Sequence, residues 1–149
     1  MLVQYFTIWC LLNYLTLCII SRINTLPAYM IHSATALIIT CSILGSPMLL
    51  FNMEKFKFPN IIILIDIIVH WFPLFLSLKY FNRTSQSFSS ITNFNLAILY
   101  GFLFYLIYIR FFNPEKVYSF AQINNKNIFL KGTVIYLISL YLLKIKKLI

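Results

Sequence analysis

Long apolar runs alternate with short polar connections along this chain, and within each run the apolar residues are continuous rather than spaced two apart. A bilayer core about 30 Å thick needs about 20 mostly apolar residues as a helix, because each backbone polar group must be satisfied inside its own segment. Five runs meet that requirement: 2–20, 28–51, 60–81, 93–112 and 128–143. They are separated by polar stretches at 22–27, 52–59, 82–92 and 113–127. The last of these contains Asn113-Pro114-Glu115 and Asn124-Asn125-Lys126-Asn127, read as turn formers with no helical face. The expected fold is all-α, a polytopic transmembrane bundle of about five helices forming one integral membrane domain over residues 1–149. Period-two alternation is missing, which argues against a membrane β-barrel. No internal repeat suggests the duplicated halves of a transporter. The first run is read as a mature helix, since no Lys or Arg precedes it and no small-x-small site lies ahead of Arg22.

Composition sharpens this picture. With 61% hydrophobic, 18% aromatic and only 10% charged residues, and a mean hydropathy of +0.87, too few polar side chains exist to cover a water-soluble globule. A soluble enzyme, a disordered tail and a collagen-like fibre are excluded together. The formal charge of +9 would suit nucleic acid if the basic residues formed a stripe, but they stand singly between apolar runs and read as membrane flanks. The expected partners are therefore membrane lipids and not nucleic acid, with a second copy of the chain or another membrane protein left open. Assigning the connections to alternate sides places Lys55, Lys57, Arg110, Lys116, Lys126 and Lys131 against Arg22, Lys79, Arg83, Lys144, Lys146 and Lys147, a balance that decides no orientation. The terminal Lys146-Lys147-Leu148-Ile149 resembles the dilysine retrieval signal of endoplasmic-reticulum membrane proteins, which is the ground for expecting that location. A plain basic anchor is the other reading. Cys10, Cys18 and Cys41 lie inside apolar runs and are read as packing residues; no C-x-x-C or His/Cys spacing points to a metal, and no cofactor is expected.

Ionisable groups inside a membrane helix are costly unless paired or turned to a cavity, so each is a functional lead. Asp66 and His70 stand four apart in the third run, on one helical face, where a carboxylate can hold an imidazole in one tautomer. Pro73 follows and removes a backbone donor near the histidine. His32, near the start of the second run, is read as an interfacial residue, and Tyr100, Tyr105 and Tyr108 as aromatic packing and belts. Gly45-Ser46-Pro47 is expected to kink or loosen the second helix. Thr7 and Thr16 are hydroxyls of the first run that by themselves read as backbone-bonded. Depth singles out Thr7: if the start of the first run and the 52–59 connection share a side, Thr7 and His70 enter from the same leaflet. A hydroxyl, an imidazole and a carboxylate can then meet, the components of an activated nucleophile.

These residues carry a resemblance. Tyr5-Phe6-Thr7-Ile8 opening the first run, Asp66 to His70 followed by Pro73-Leu74, the tyrosine-rich fourth run, and Val117-Tyr118-Ser119-Phe120 resemble, in that order, the androgen-induced/FAR-17a-like multi-pass membrane proteins and their bacterial Pr6Pr-type relatives. The resemblance spans nearly the whole chain, starting after the family's first helix. It implies a threonine hydrolase that cleaves esters of hydroxy fatty acids within the bilayer, with Thr7 as nucleophile and His70 as general base. Asp66 as the group orienting His70 comes from helix spacing instead. The sequence departs from the family at Trp9 and Cys10, where polar residues often follow the threonine, and at Ser119, where many relatives have proline.

Two further readings compete with a lipid-ester hydrolase. One is a non-catalytic scaffold or assembly protein in which Asp66 and His70 clasp each other; the other is a small channel or carrier that uses them as a proton relay. The separation between the Thr7 hydroxyl and the nearest His70 ring nitrogen discriminates among them. Within about 4 Å the catalytic account leads, because proton abstraction requires hydrogen-bond reach.

Overall fold

The computed structural model describes residues 5–24, 26–57, 59–83, 91–119 and 125–146, and the regular structure among them is helical, with no strand. In chain order the elements are α1 (Phe6–Ile20), α2 (Ala28–Leu50), a 3-10 turn (Met53–Lys55), α3 (Pro59–Asp66), a π-helical turn (Ile67–Trp71), α4 (Phe72–Arg83), α5 (Ile91–Phe111), the short α6 (Pro114–Val117) and α7 (Asn125–Lys146). The π turn joins α3 and α4 into one rod. Among the described residues four stretches are long and apolar enough to cross a membrane: Ala28–Leu50, Asn60–Lys79, Ile91–Phe111 and Lys126–Ile145. This is the architecture of a multi-pass integral membrane protein. α1 is equally apolar but has 15 residues, about 22 Å at 1.5 Å per residue, which is shorter than the hydrocarbon layer.

α2 is the axis of the bundle and packs against α1, α3, α4, α5 and α7. Its side chains are buried without a break from Ile31 to Ile38, which is how a helix surrounded by others behaves. Small residues in this stretch, Ser33, Ala34 and Ala36, let neighbouring backbones approach. The buried hydroxyls of Thr35, Thr40 and Ser42 donate to the carbonyls of Ile31, Ala36 and Ile38 one turn back, so burying them strands no polar group.

The α3–π–α4 rod sorts its residues by chemistry. Ile62, Asp66, His70, Pro73 and Ser77 recur at helical spacing and are buried, whereas Ile61, Leu64, Ile68, Phe72 and Phe75 are exposed. A protein in water would present the opposite faces; with lipid outside, the polar stripe turns inward and the hydrocarbon stripe contacts acyl chains.

The helix α2 runs from Ala28 through Pro47 to Leu50, as its apolar run predicts, since a proline this close to the C-terminal end removes a single donor and need not break the rod. Two local expectations are corrected. Asn113-Pro114-Glu115 opens α6 instead of forming a free turn: the Asn113 side chain accepts the Glu115 N–H and Pro114 sits at the first helical position, where no N–H is needed. Lys126 and Asn127 belong to the first turn of α7, because an apolar run long enough to nucleate a helix extends it past residues of only mildly unfavourable propensity. Residues 147–149, which complete the dilysine-like tail, lie outside the described residues.

Candidate functional site

Asp66 ends α3 and His70 lies in the π turn, four residues on. Their side chains meet with His70 Nδ1 at 2.9 Å from Asp66 Oδ1. The wide turn has a backbone cause and a tertiary support. Pro73 has no N–H with which to continue the regular pattern, and the Phe72 N–H reaches back to the Ile67 carbonyl. From α2, the Ser42 hydroxyl shares its one proton between the Ile38 carbonyl and the His70 carbonyl, each at 2.9 Å, and so ties α2 to the turn.

The Asp66 carboxylate is the hub of the site. Besides His70 it receives the Ser46 hydroxyl at 2.8 Å and the Trp71 indole N–H at 3.0 Å, both on Oδ2. An ionised carboxylate can only accept hydrogen bonds. With Asp66 ionised and the ring neutral, the proton between Asp66 and His70 is assigned to Nδ1, which leaves the lone pair on Nε2. That lone pair faces the Thr7 hydroxyl of α1 at 3.4 Å. Asp66 and His70 are 2% and 5% exposed, so both point into the bundle and away from acyl chains. Thr7 is half-buried.

α2 forms the seat for this pair with Ser42, Gly45 and Ser46 on one face. Gly45 is required by close approach: a Cβ there would collide with His70 Nε2. The N-terminal end of α1 is held by the segment after α6, where the Tyr118 hydroxyl accepts the Phe6 N–H at 2.9 Å and the Tyr118 ring meets Tyr5 edge to face at 5.6 Å. Burial pushes the Tyr118 phenol well above its ordinary range, so it remains a neutral hydroxyl.

A cavity of about 430 Å³ opens beside Thr7, inside the range of small-molecule sites. Its lining includes Thr7, Gly45, Tyr105, Tyr108, Tyr118 and Lys131. Comparison with protein-family models, with curated proteins and with solved structures finds no match. The chemistry is therefore argued from the arrangement alone. A hydroxyl facing an imidazole lone pair, with the opposite ring nitrogen bonded to a buried carboxylate, is competent to give up its proton as it attacks an electrophile.

The three residues singled out from the sequence, Thr7, Asp66 and His70, come together here. Other leads lie elsewhere. His32 is 2% exposed, with Nδ1 on the Ala28 carbonyl, so it is a core residue and not the interfacial one expected. The N-terminal end of α2 is covered by its neighbours, which a linear depth count cannot reveal. Thr16 is exposed. Tyr100 donates to Asn13 at 2.7 Å as a packing residue, whereas Tyr105 and Tyr108 face the cavity. The Cys10 and Cys41 thiols approach to 3.5 Å as free cysteines. Among the described residues no cluster of three or more His, Cys, Asp or Glu could hold a metal. Sequence reasoning missed Ser42, Ser46, Trp71 and the packing role of Gly45. The i, i+3, i+4 spacing of Ser42, Gly45 and Ser46 is the signal that marks a small, polar face.

Proposed function

We propose that this protein is a membrane-embedded hydrolase of lipid esters that uses Thr7 as nucleophile, His70 as general base and Asp66 as the group that orients His70. The observation that carries the reading is the 3.4 Å separation between Thr7 Oγ1 and His70 Nε2, with Nδ1 already bonded to Asp66. That contact is long, as such contacts commonly are before substrate binds. The resemblance of the short motifs around Thr7, Asp66–His70 and Tyr118 to the androgen-induced/FAR-17a-like proteins points the same way and favours esters of long-chain hydroxy fatty acids.

In the reaction Thr7 Oγ attacks the ester carbonyl while its proton passes to His70 Nε2. Asp66 remains ionised and stabilises the imidazolium so formed. Collapse of the tetrahedral intermediate breaks the bond to the leaving alcohol, which takes the proton from Nε2 and departs, leaving an acyl-Thr7 ester. Water then attacks this ester, giving one proton to Nε2, and the carboxylic acid leaves as Thr7 recovers that proton. An ester already dissolved in the bilayer needs no aqueous cleft; the cavity beside Thr7 would receive it from the lipid.

The experiment is covalent labelling of the full chain with a fluorophosphonate probe, followed by peptide mass spectrometry. Labelling should map to Thr7 and be lost in Thr7→Ala and His70→Ala. Equal labelling of both variants, or a label carried elsewhere, discards the hydrolase and leaves the non-catalytic clasp.

A further inference from the structure

Attack by Thr7 on an ester leaves a negative charge on the former carbonyl oxygen. In a cavity walled mostly by aromatic and aliphatic side chains, that charge is costly unless a fixed donor meets it. Most hydroxyls of the wall are engaged with the protein itself. Thr40 donates to the Ala36 carbonyl at 2.8 Å. Tyr118 accepts the Phe6 N–H at 2.9 Å, and the Tyr118 and Tyr108 hydroxyls are hydrogen-bonded to each other. Tyr105 differs: it lines the same cavity as Thr7, and among the described residues no hydrogen bond reaches its hydroxyl. Its ring is held on several sides. It meets Phe6, the residue before Thr7, edge to face at 5.3 Å, and packs on Phe129 at 5.7 Å and on Tyr108 at 6.3 Å. A phenylalanine would keep all of these ring contacts, so packing gives no reason for the hydroxyl. Tyr105 is half-buried and lies within the span Ile91–Phe111, where a polar group without a partner is costly.

We propose that Tyr105 is a further catalytic residue, the donor that stabilises the oxyanion formed when Thr7 attacks. This rests on the hydrolase reading and deepens it by supplying the electrostatic part of the mechanism. As the bond from Thr7 Oγ to the carbonyl carbon forms, the carbonyl π pair moves onto oxygen, and the Tyr105 O–H donates to that oxygen while keeping its own proton. When the intermediate collapses, the pair returns to the carbonyl and the hydrogen bond weakens. His70 carries the proton and Tyr105 meets the charge. A phenol suits this place: it is neutral before the reaction, so seating it within the bilayer costs far less than seating a cation, and its hydroxyl can donate as charge develops.

The test compares Tyr105→Phe with wild type, each as the full chain in neutral detergent micelles. With a nitrophenyl ester of lauric acid, kcat should fall roughly 10²- to 10³-fold, the loss expected when one oxyanion donor is removed. KM should stay within about threefold, since the bond is made in the transition state and not in the ground state. A long-chain trifluoromethyl ketone, which adds the threonine oxygen reversibly and then carries the oxyanion, should lose affinity by a similar factor. The matching methyl ketone, which stays a ketone, should change by less than about twofold. Tyr108→Phe, on the neighbouring phenol, should lower kcat by less than about tenfold, the cost of one neutral hydrogen bond. A Tyr105→Phe kcat within about threefold of wild type, a loss confined to KM, equal weakening of the two ketones, or a loss in Tyr108→Phe that matches or exceeds that in Tyr105→Phe overturns the proposal. Failure of the hydrolase reading is seen separately, in wild type: no labelling of Thr7 and no turnover strike both, whereas a labelled, active wild type with an undiminished Tyr105→Phe strikes Tyr105 alone.

Discussion

The imidazole of His70 occupies the space where a side chain at position 45 would begin, so that Gly45 and His70 are packed as a single unit across the α2 contact. Gly45→Ala should force the ring away from Thr7 while leaving α2 helical, because alanine favours a helix over glycine by about 1 kcal/mol. We expect Thr7 labelling by the fluorophosphonate probe to fall at least tenfold while the protein remains membrane-integrated and monodisperse. Labelling at the wild-type rate would mean that His70 Nε2 is not the base.

Asp66→Asn tests the tautomer. The Trp71 indole can only donate, so the amide oxygen must stay on that side and the amide NH2 must face His70 Nδ1. Nδ1 then becomes an acceptor and the proton moves to Nε2, which can no longer act as a base. The expected loss in hydrolysis rate is on the order of 10³- to 10⁴-fold, by analogy with triads whose orienting carboxylate becomes an amide. Adding Trp71→Phe frees the amide to turn over, and the double variant should recover part of the lost rate. Rate measurements on the single and double variants decide this, and a further drop in the double variant counts against the tautomer argument.

Tyr118→Phe keeps the ring and removes the acceptor of the Phe6 N–H. Losing one such bond costs about 1 kcal/mol, and the loss should concentrate at the start of α1. Hydrogen exchange should quicken over residues 6–9, and Thr7 labelling should slow severalfold because the nucleophile is less firmly placed. Unchanged exchange in this segment would show that the α6 contact does not hold α1.

Ile68 is 54% exposed and close to the middle of the span Asn60–Lys79. Replacing it by lysine in water would be nearly neutral. In a bilayer, a lysine at this depth costs about 2.5–3.5 kcal/mol on insertion scales. Ile68→Lys should therefore lower the membrane-integrated fraction in a microsomal insertion assay. Efficient insertion equal to wild type would contradict a lipid-facing position.

How much of this was legible in the linear chain follows from range. Membrane threading is a property of each segment by itself, because a helix in hydrocarbon must satisfy its own backbone and cover itself with apolar side chains. Runs of Ile, Leu and Phe therefore determined the fold class, and the four-residue spacing of Asp66 and His70 determined that they share a face. The wall opposite them was not legible. Whether Ser42, Gly45 and Ser46 face His70, or Thr7 reaches Nε2, depends on how α1, α2 and the α3–π–α4 rod rotate and approach one another. In lipid those rotations are set by close packing of small residues and by a few interhelical hydrogen bonds. These are pairwise properties of surfaces distant in sequence. For the same reason Lys131 read as a flank charge along the chain, and only the packing of α7 beside the cavity decided that Lys131 and Thr7 line the same space.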